Sequence, residues 1–329
     1  MTATRTHARY RSMGSGLMQR ESMPSWQARL ASLVLRHTFK PRLARAVTVA
    51  DIRAATSARI GFRLPADVRI TTATLGEVPG EWVESRTGPA GAALLYVHGG
   101  GYVACSARTH RPFTCAFAQR GFRVFAPDYR LAPEHPFPAG LSDVIAAYRA
   151  LRATAPASAA PVIAGDSAGA GLALAAMLAL RDAGGDLPAA AALFSPLGDL
   201  VETGGSRLFN DRRCAMFHGR GIARLADLYL AGADPRLPLA SPALGDFAGL
   251  PPLLVQVGAE ETLLDDSRRI AERARAAGVR VELSIWPAVP HVWPLFHRLI
   301  PEGRRSLALA ADFLHGATAG ATGIRVARL

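Results

Sequence analysis

Cysteine is scarce in this chain: three in 329 residues, Cys105, Cys115 and Cys214, with no CxxC spacing. So small and odd a set signals neither a disulfide framework nor a zinc site, and no metal is expected. Long hydrophobic runs are also missing. The longest, GLALAAMLAL at 171–180 and LPPLLVQV at 250–257, fall short of the roughly 20 residues a membrane span needs, so no stable membrane insertion is expected. Residues 1–22 carry arginines but no apolar stretch of the kind a secretory signal requires. They read as a disordered extension, with Met23 in MPSWQARL as an alternative start. The expected setting is a reducing, cytoplasmic one.

Lysine is almost absent too. Lys40 stands alone, so the net charge of +12 comes from arginine. A charge of this size raises nucleic acid as a partner. The arginines, however, are scattered among alanines and no binding motif accompanies them, so a solvated basic surface is expected and no nucleic-acid partner.

What the chain does have is core-forming material. With 50% hydrophobic and 19% charged residues it can bury one large domain. Helical periodicity from Ser25 to Thr56, interrupted by Pro41, predicts an N-terminal helical pair over 23–60. Extended segments follow at 68–75 and 80–85, then the buried run AALLYVH and the strand GFRVFAPDYR. From there strand and helix alternate: helix 140–153, strand APVIAGD, helix 168–182, strand AAALFSPL, strand PPLLVQVG, helix 266–277, strand VRVELSIWP and a last helix near 303–315. The pattern predicts an α/β fold with a mostly parallel eight-stranded sheet flanked by helices over 61–315. Between Asp199 and Pro252 the alternation fails, and 203–235 reads as an insertion contributing to a lid above the strand ends. The tail 316–329, GATAGATGIRVARL, is expected to be loose.

Two glycine-rich stretches carry the chemistry. VIAGDSAGAG at 162–171 sets Gly165-Asp166-Ser167-Ala168-Gly169 between a buried strand and a helix, the context in which G-x-S-x-G forms a nucleophile elbow. A serine there needs a base, and the base needs a group to fix its tautomer. In this chain order the base comes last. Of the nine histidines, only His291, His297 and His315 follow the later acids, and His291, in the loop AVPHVWP just after the last strand, is best placed. The acid must leave the strand PPLLVQVG, and Glu260, Glu261, Asp265 and Asp266 all qualify by spacing.

The second stretch, LLYVHGGGYVACS at 94–106, ends a buried strand in three glycines. Bare backbone N–H groups at such a point suit an oxyanion hole, where one donor is worth roughly 2.7–4 kcal/mol. The donors expected are Gly99, Gly100 and Ala168.

With HGGG at 98–101, DYRLAPEHPFPA at 128–139, GDSAG at 165–169 and PHVW at 290–293, the chain resembles the bacterial hormone-sensitive-lipase-like esterases from about Met23 to Leu314. The resemblance implies an α/β-hydrolase fold with a helical cap, often dimeric. It also implies a serine carboxylesterase acting on small-molecule esters of short- to medium-chain acids through an acyl-enzyme, with no cofactor. An amidase, a lactonase or a non-catalytic binding protein of the same fold is the alternative. The family's acid-x-Leu-x-Asp motif maps onto Glu261-Thr262-Leu263-Leu264-Asp265 and selects Asp265 as the acid, giving Ser167, Asp265 and His291 as the triad. It gives Tyr129, Arg130 and Glu134 supporting roles. Ala170 and Cys105 stand where relatives commonly have glycine, which puts a thiol near the site mouth and makes it a target for a bulky thiol reagent.

Overall fold

A computed structural model describes residues 17–19, 23–56, 62–87, 91–156 and 159–320. Its strands, in chain order, are β1 (Leu17–Gln19), β2 (Val68–Leu75), β3 (Val78–Ser85), β4 (Ala93–Val97), β5 (Arg123–Pro127), β6 (Val162–Asp166), β7 (Ala191–Phe194), β8 (Leu253–Gly258) and β9 (Val281–Trp286). They form one sheet in the order β1-β9-β8-β7-β6-β4-β5-β3-β2. From β5 through β9 all neighbours are parallel, while β2 and β3 add an antiparallel edge.

The eight strands from β2 to β9 are those the alternation predicts. At the far edge β1 pairs in parallel with β9, so Leu17–Gln19 are extended where the sequence suggested disorder. The remainder of 1–22 lies outside the described residues, as does 321–329.

The parallel strands are covered on both faces, which is why they read as unbroken apolar runs. Helix α3 (Arg111–Ala118) and helix α9 (Pro301–Gly320) close one face, where Phe113, Phe117, Leu307 and Leu314 pack on Leu94, Tyr96 and Phe194. Helices α4 (Ala139–Thr154), α5 (Ser167–Asp182) and α8 (Leu264–Ala276) close the other, with Val144, Leu172 and Ile270 against Leu95, Ile163 and Val255. The last helix runs past the expected end at 315. Ala317 still packs on the core there, so a started helix continues through GATAG.

Two further pieces sit above the carboxyl ends of the strands. Helices α1 (Trp26–Ala44) and α2 (Val49–Thr56) are the N-terminal pair; α6 (Ser206–Phe209) and α7 (Gly219–Leu230) belong to the insertion. Pro41 does not interrupt α1 but lies in its last turn, where Arg45 N–H still reaches the Pro41 carbonyl at 3.1 Å. The two pieces are tied together by Lys40. Its ammonium is buried and donates to the carbonyls of Asp211 and of Cys214, the latter at 2.9 Å. Burial lowers its pKa, and the carbonyls satisfy the charge.

Candidate active site

Ser167 follows β6 directly and is the first residue of α5. Its φ is +52°, the left-handed region a non-glycine residue enters only at a cost of order 1–3 kcal/mol. The turn is sharp because helix and sheet meet closely: a Cβ on Gly169 would come within 2.2 Å of the Val97 carbonyl oxygen. Glycine is therefore required two residues after the serine, and the serine is lifted to the floor of a cavity.

His291 lines the same cavity. It sits in the loop after β9, almost fully buried, with Phe217 edge-on to its ring at 4.9 Å. Its Nδ1 is 2.5 Å from Glu261 Oε2. The other carboxylate oxygen of Glu261 accepts from Gly258 N–H at 2.6 Å and from Ser195 Oγ at 2.8 Å. The carboxylate is thus fixed on three sides, and the tautomer with Nδ1–H facing it leaves Nε2 of His291 as the acceptor. Ser167 Oγ makes no hydrogen bond among the described residues; bonds of this kind commonly tighten once substrate is bound.

The carboxylate on His291 is therefore that of Glu261, and Asp265, expected there from the motif, makes no contact with the histidine among the described residues. Asp265 lies in the first turn of α8, where its carboxylate accepts from Ser206 N–H at 2.8 Å and pairs with Arg268 at 3.3 Å. One helical turn carries it away from the histidine. Asp266 faces inward, accepting from the N–H groups of Gly198 and Asp199, both at 3.0 Å, and burial pushes its pKa up to about 6.

The glycine loop differs in one position from expectation. Gly99 N–H donates to Asp166 Oδ1 at 3.1 Å and so is already engaged. Gly100 and Gly101, at φ +124° and +63°, line the cavity beside Ser167, and neither N–H donates to any acceptor among the described residues. Gly101 lines the cavity although the sequence reading named Gly99 and Gly100; its only signal was the third glycine of the run. Ala168, at the start of α5, keeps an N–H with no partner inside its helix.

Asp166 holds this loop. Besides Gly99 it accepts from Tyr96 Oη at 2.8 Å and lies 3.3 Å from His110 Nε2. Burial opposes its charge, but the two histidines and the tyrosine outweigh that and keep its pKa below the usual carboxylate value. The DYRLAPEHPFPA segment is joined to the same loop. Tyr129 Oη donates to the His98 carbonyl at 2.8 Å, Arg130 pairs with Asp143 at 2.7 Å, and Glu134 pairs with Arg53 of α2 at 2.6 Å.

The cavity measures ≈ 330 Å³. Its walls are mostly apolar and come from both cap pieces: Leu35, Phe39 and Leu43 of α1, Ile52 of α2, and Phe217 and Leu225 of the insertion. Cys105 is part of the wall, at φ +75°, and burial pushes its thiol up to about 12. It is a neutral thiol at physiological pH, which slows the thiol-reagent attack its position invites.

Known proteins share this fold. A family model described as the alpha/beta hydrolase fold matches residues 94–295. The chain belongs to the α/β hydrolase family. An acetyl-hydrolase of Streptomyces hygroscopicus is 47% identical over 246 residues, covering 74% of this chain and 82% of its own. The carboxylesterase/phospholipase LipF of Mycobacterium tuberculosis is 34% identical over 323 residues, covering 91% of this chain and 84% of its own. The crystal structure of an esterase of the bacterial hormone-sensitive lipase family superposes with a TM-score of 0.84 at 40% identity, over 90% of this chain and all of that one. Within the α/β hydrolases the chain is thus a hormone-sensitive-lipase-like member, as its motifs implied.

Proposed function

We propose that this hydrolase is a serine carboxylesterase for short- to medium-chain acyl esters, with Ser167, His291 and Glu261 as its triad. The observation that carries the reading is the 2.5 Å contact between His291 and Glu261 at the cavity that Ser167 also lines. His291 Nε2 takes the Ser167 proton as Oγ attacks the ester carbonyl, and Glu261 stabilises the imidazolium. The N–H groups of Gly100, Gly101 and Ala168 receive the oxyanion. The alkoxide leaves with the proton from His291, and a water deprotonated by the same nitrogen clears the acyl group. Ester chemistry is supported by relatives named acetyl-hydrolase, esterase and carboxylesterase. A cavity of ≈ 330 Å³ walled by apolar side chains suits an acyl chain of modest length. The three cysteines are unpaired, in keeping with a reducing, cytoplasmic setting.

Hydrolysis of p-nitrophenyl esters from acetate to palmitate tests this. Acetate to octanoate are expected to be cleaved and palmitate poorly, and Ser167→Ala should lower kcat by about 10⁶-fold. A folded wild type that cleaves none of the series would overturn the proposal.

A further inference from the structure

Helix α1 has two apolar faces, and only one is used inward. Leu35, Phe39 and Leu43 turn to the cavity, while Ala28 and Ser32 are buried. On the opposite side Trp26, Leu30, Leu33 and Val34 are exposed at 69%, 50%, 51% and 49%. Their i, i+4, i+7, i+8 spacing makes one continuous stripe. Isolated exposed apolar side chains are ordinary, but four in register on one helix face are not.

Charge says what the stripe meets. The helix contains Arg29, Arg36, His37, Lys40 and Arg42 and no acidic residue. Arg36 and Lys40 are engaged with carbonyls of residues 211–214, whereas Arg29 and His37 flank the stripe and are exposed. Two acids that touch α1 or its cap are already matched: Glu260 by Arg36 and Arg213, and Glu302 by Ser25 and Arg305. The preceding 22 residues add four arginines and one glutamate, in a chain of net charge +12. An apolar stripe edged by Arg29, on a helix that carries no acid, suits a segment that lies in a lipid–water interface. A second copy of the chain would set like charges against each other across the same face, at a cost.

We propose that the outward face of α1 docks this enzyme on anionic lipid surfaces. The attachment is peripheral: among the described residues no helix is long and apolar enough to cross a membrane. Trp26, Leu30 and Leu33 enter the headgroup boundary, and Arg29 meets the anionic headgroups, which attract basic side chains close to the surface. The inference stands apart from the triad, because adsorption is read without turnover.

The test is co-sedimentation of the full chain with phosphatidylglycerol or phosphatidylcholine vesicles. Wild type and Ser167→Ala should both sediment with phosphatidylglycerol, at least tenfold more than with phosphatidylcholine, and 0.5 M salt should release most of the protein. The double variant Leu30→Glu/Leu33→Glu should lose at least tenfold in partitioning while hydrolysing p-nitrophenyl butyrate at the wild-type rate. Arg29→Glu, a single exposed change, gives the same reading should the double variant fail to fold. Equal binding to both lipids, no binding, or undiminished binding by these variants would overturn the proposal. So would a sedimentation-velocity dimer that the variants dissociate, since the stripe would then be a self-interface.

Discussion

His98 stacks on Tyr129 at 4.3 Å and sits 5.5 Å from His110, with its Nδ1 2.7 Å from the Gly99 carbonyl. Burial, and then the neighbouring His110, lower its pKa to about 3. In the unfolded chain a histidine titrates near 6.5. The folded value is depressed, so this histidine favours the folded state above pH 6.5, and that contribution is lost as pH falls from 6.5 towards 3. The loss is about 1.4 kcal/mol per pH unit across the window. His98→Asn keeps a donor for the Gly99 carbonyl and cannot charge. Its melting temperature should therefore fall less steeply than that of the wild type between pH 6.5 and 4; parallel curves would show that His98 does not contribute. Single residues also mark the limit of sequence reading. That Ser167 and His291 would meet at one cavity was legible, because motif and chain order restrict the candidates to one or a few positions. The contact of Glu261 with His291 was not, since four acids follow β8 and only the folded arrangement brings one of them to the histidine, held there by Gly258 and Ser195. Gly99 and Gly101 are identical in sequence terms, and only the fold separates them: Gly99 N–H is taken by Asp166, while Gly101, at positive φ, lines the cavity.

At the scale of elements, the strands and helices of the α/β layer followed from alternation, but the attachment of the cap did not, because it depends on side chains reaching distant backbone. Arg53 of α2 shows this. Its guanidinium donates to the Val103 carbonyl at 2.8 Å, to the Ala132 carbonyl at 3.2 Å and to both oxygens of Glu134. One side chain thus clips the cap to the glycine loop and to the segment 128–139. The ion pair itself is exposed and contributes little; the hydrogen bonds to buried carbonyls give the clip its strength. Arg53→Ala is expected to lower stability by about 1–2 kcal/mol and to raise KM several-fold with kcat within about threefold, because the cavity wall loosens while the triad is untouched. Urea unfolding alongside steady-state kinetics checks both halves. A fall in kcat with unchanged KM would place Arg53 in the chemistry instead.

At the scale of the whole molecule, the site exists only because three distant segments converge. Ser167 comes from the turn after β6, Glu261 from the loop after β8 and His291 from the loop after β9. Parallel strands deliver all three to one end of the sheet, which is where open α/β sheets bind ligands. The cap then closes over them with its charged and apolar outer surface turned to solvent. The large positive charge, spread along the sequence, gave no hint of this division; it needed the helix face to separate inward from outward residues. The most direct measurement is kcat/KM of Glu261→Gln beside Asp265→Asn on p-nitrophenyl butyrate. Loss of the triad acid costs about 10⁴-fold in comparable enzymes. Glu261→Gln should fall by that order while Asp265→Asn stays within about threefold; the reverse pattern, or two equally active variants, would contradict the triad described.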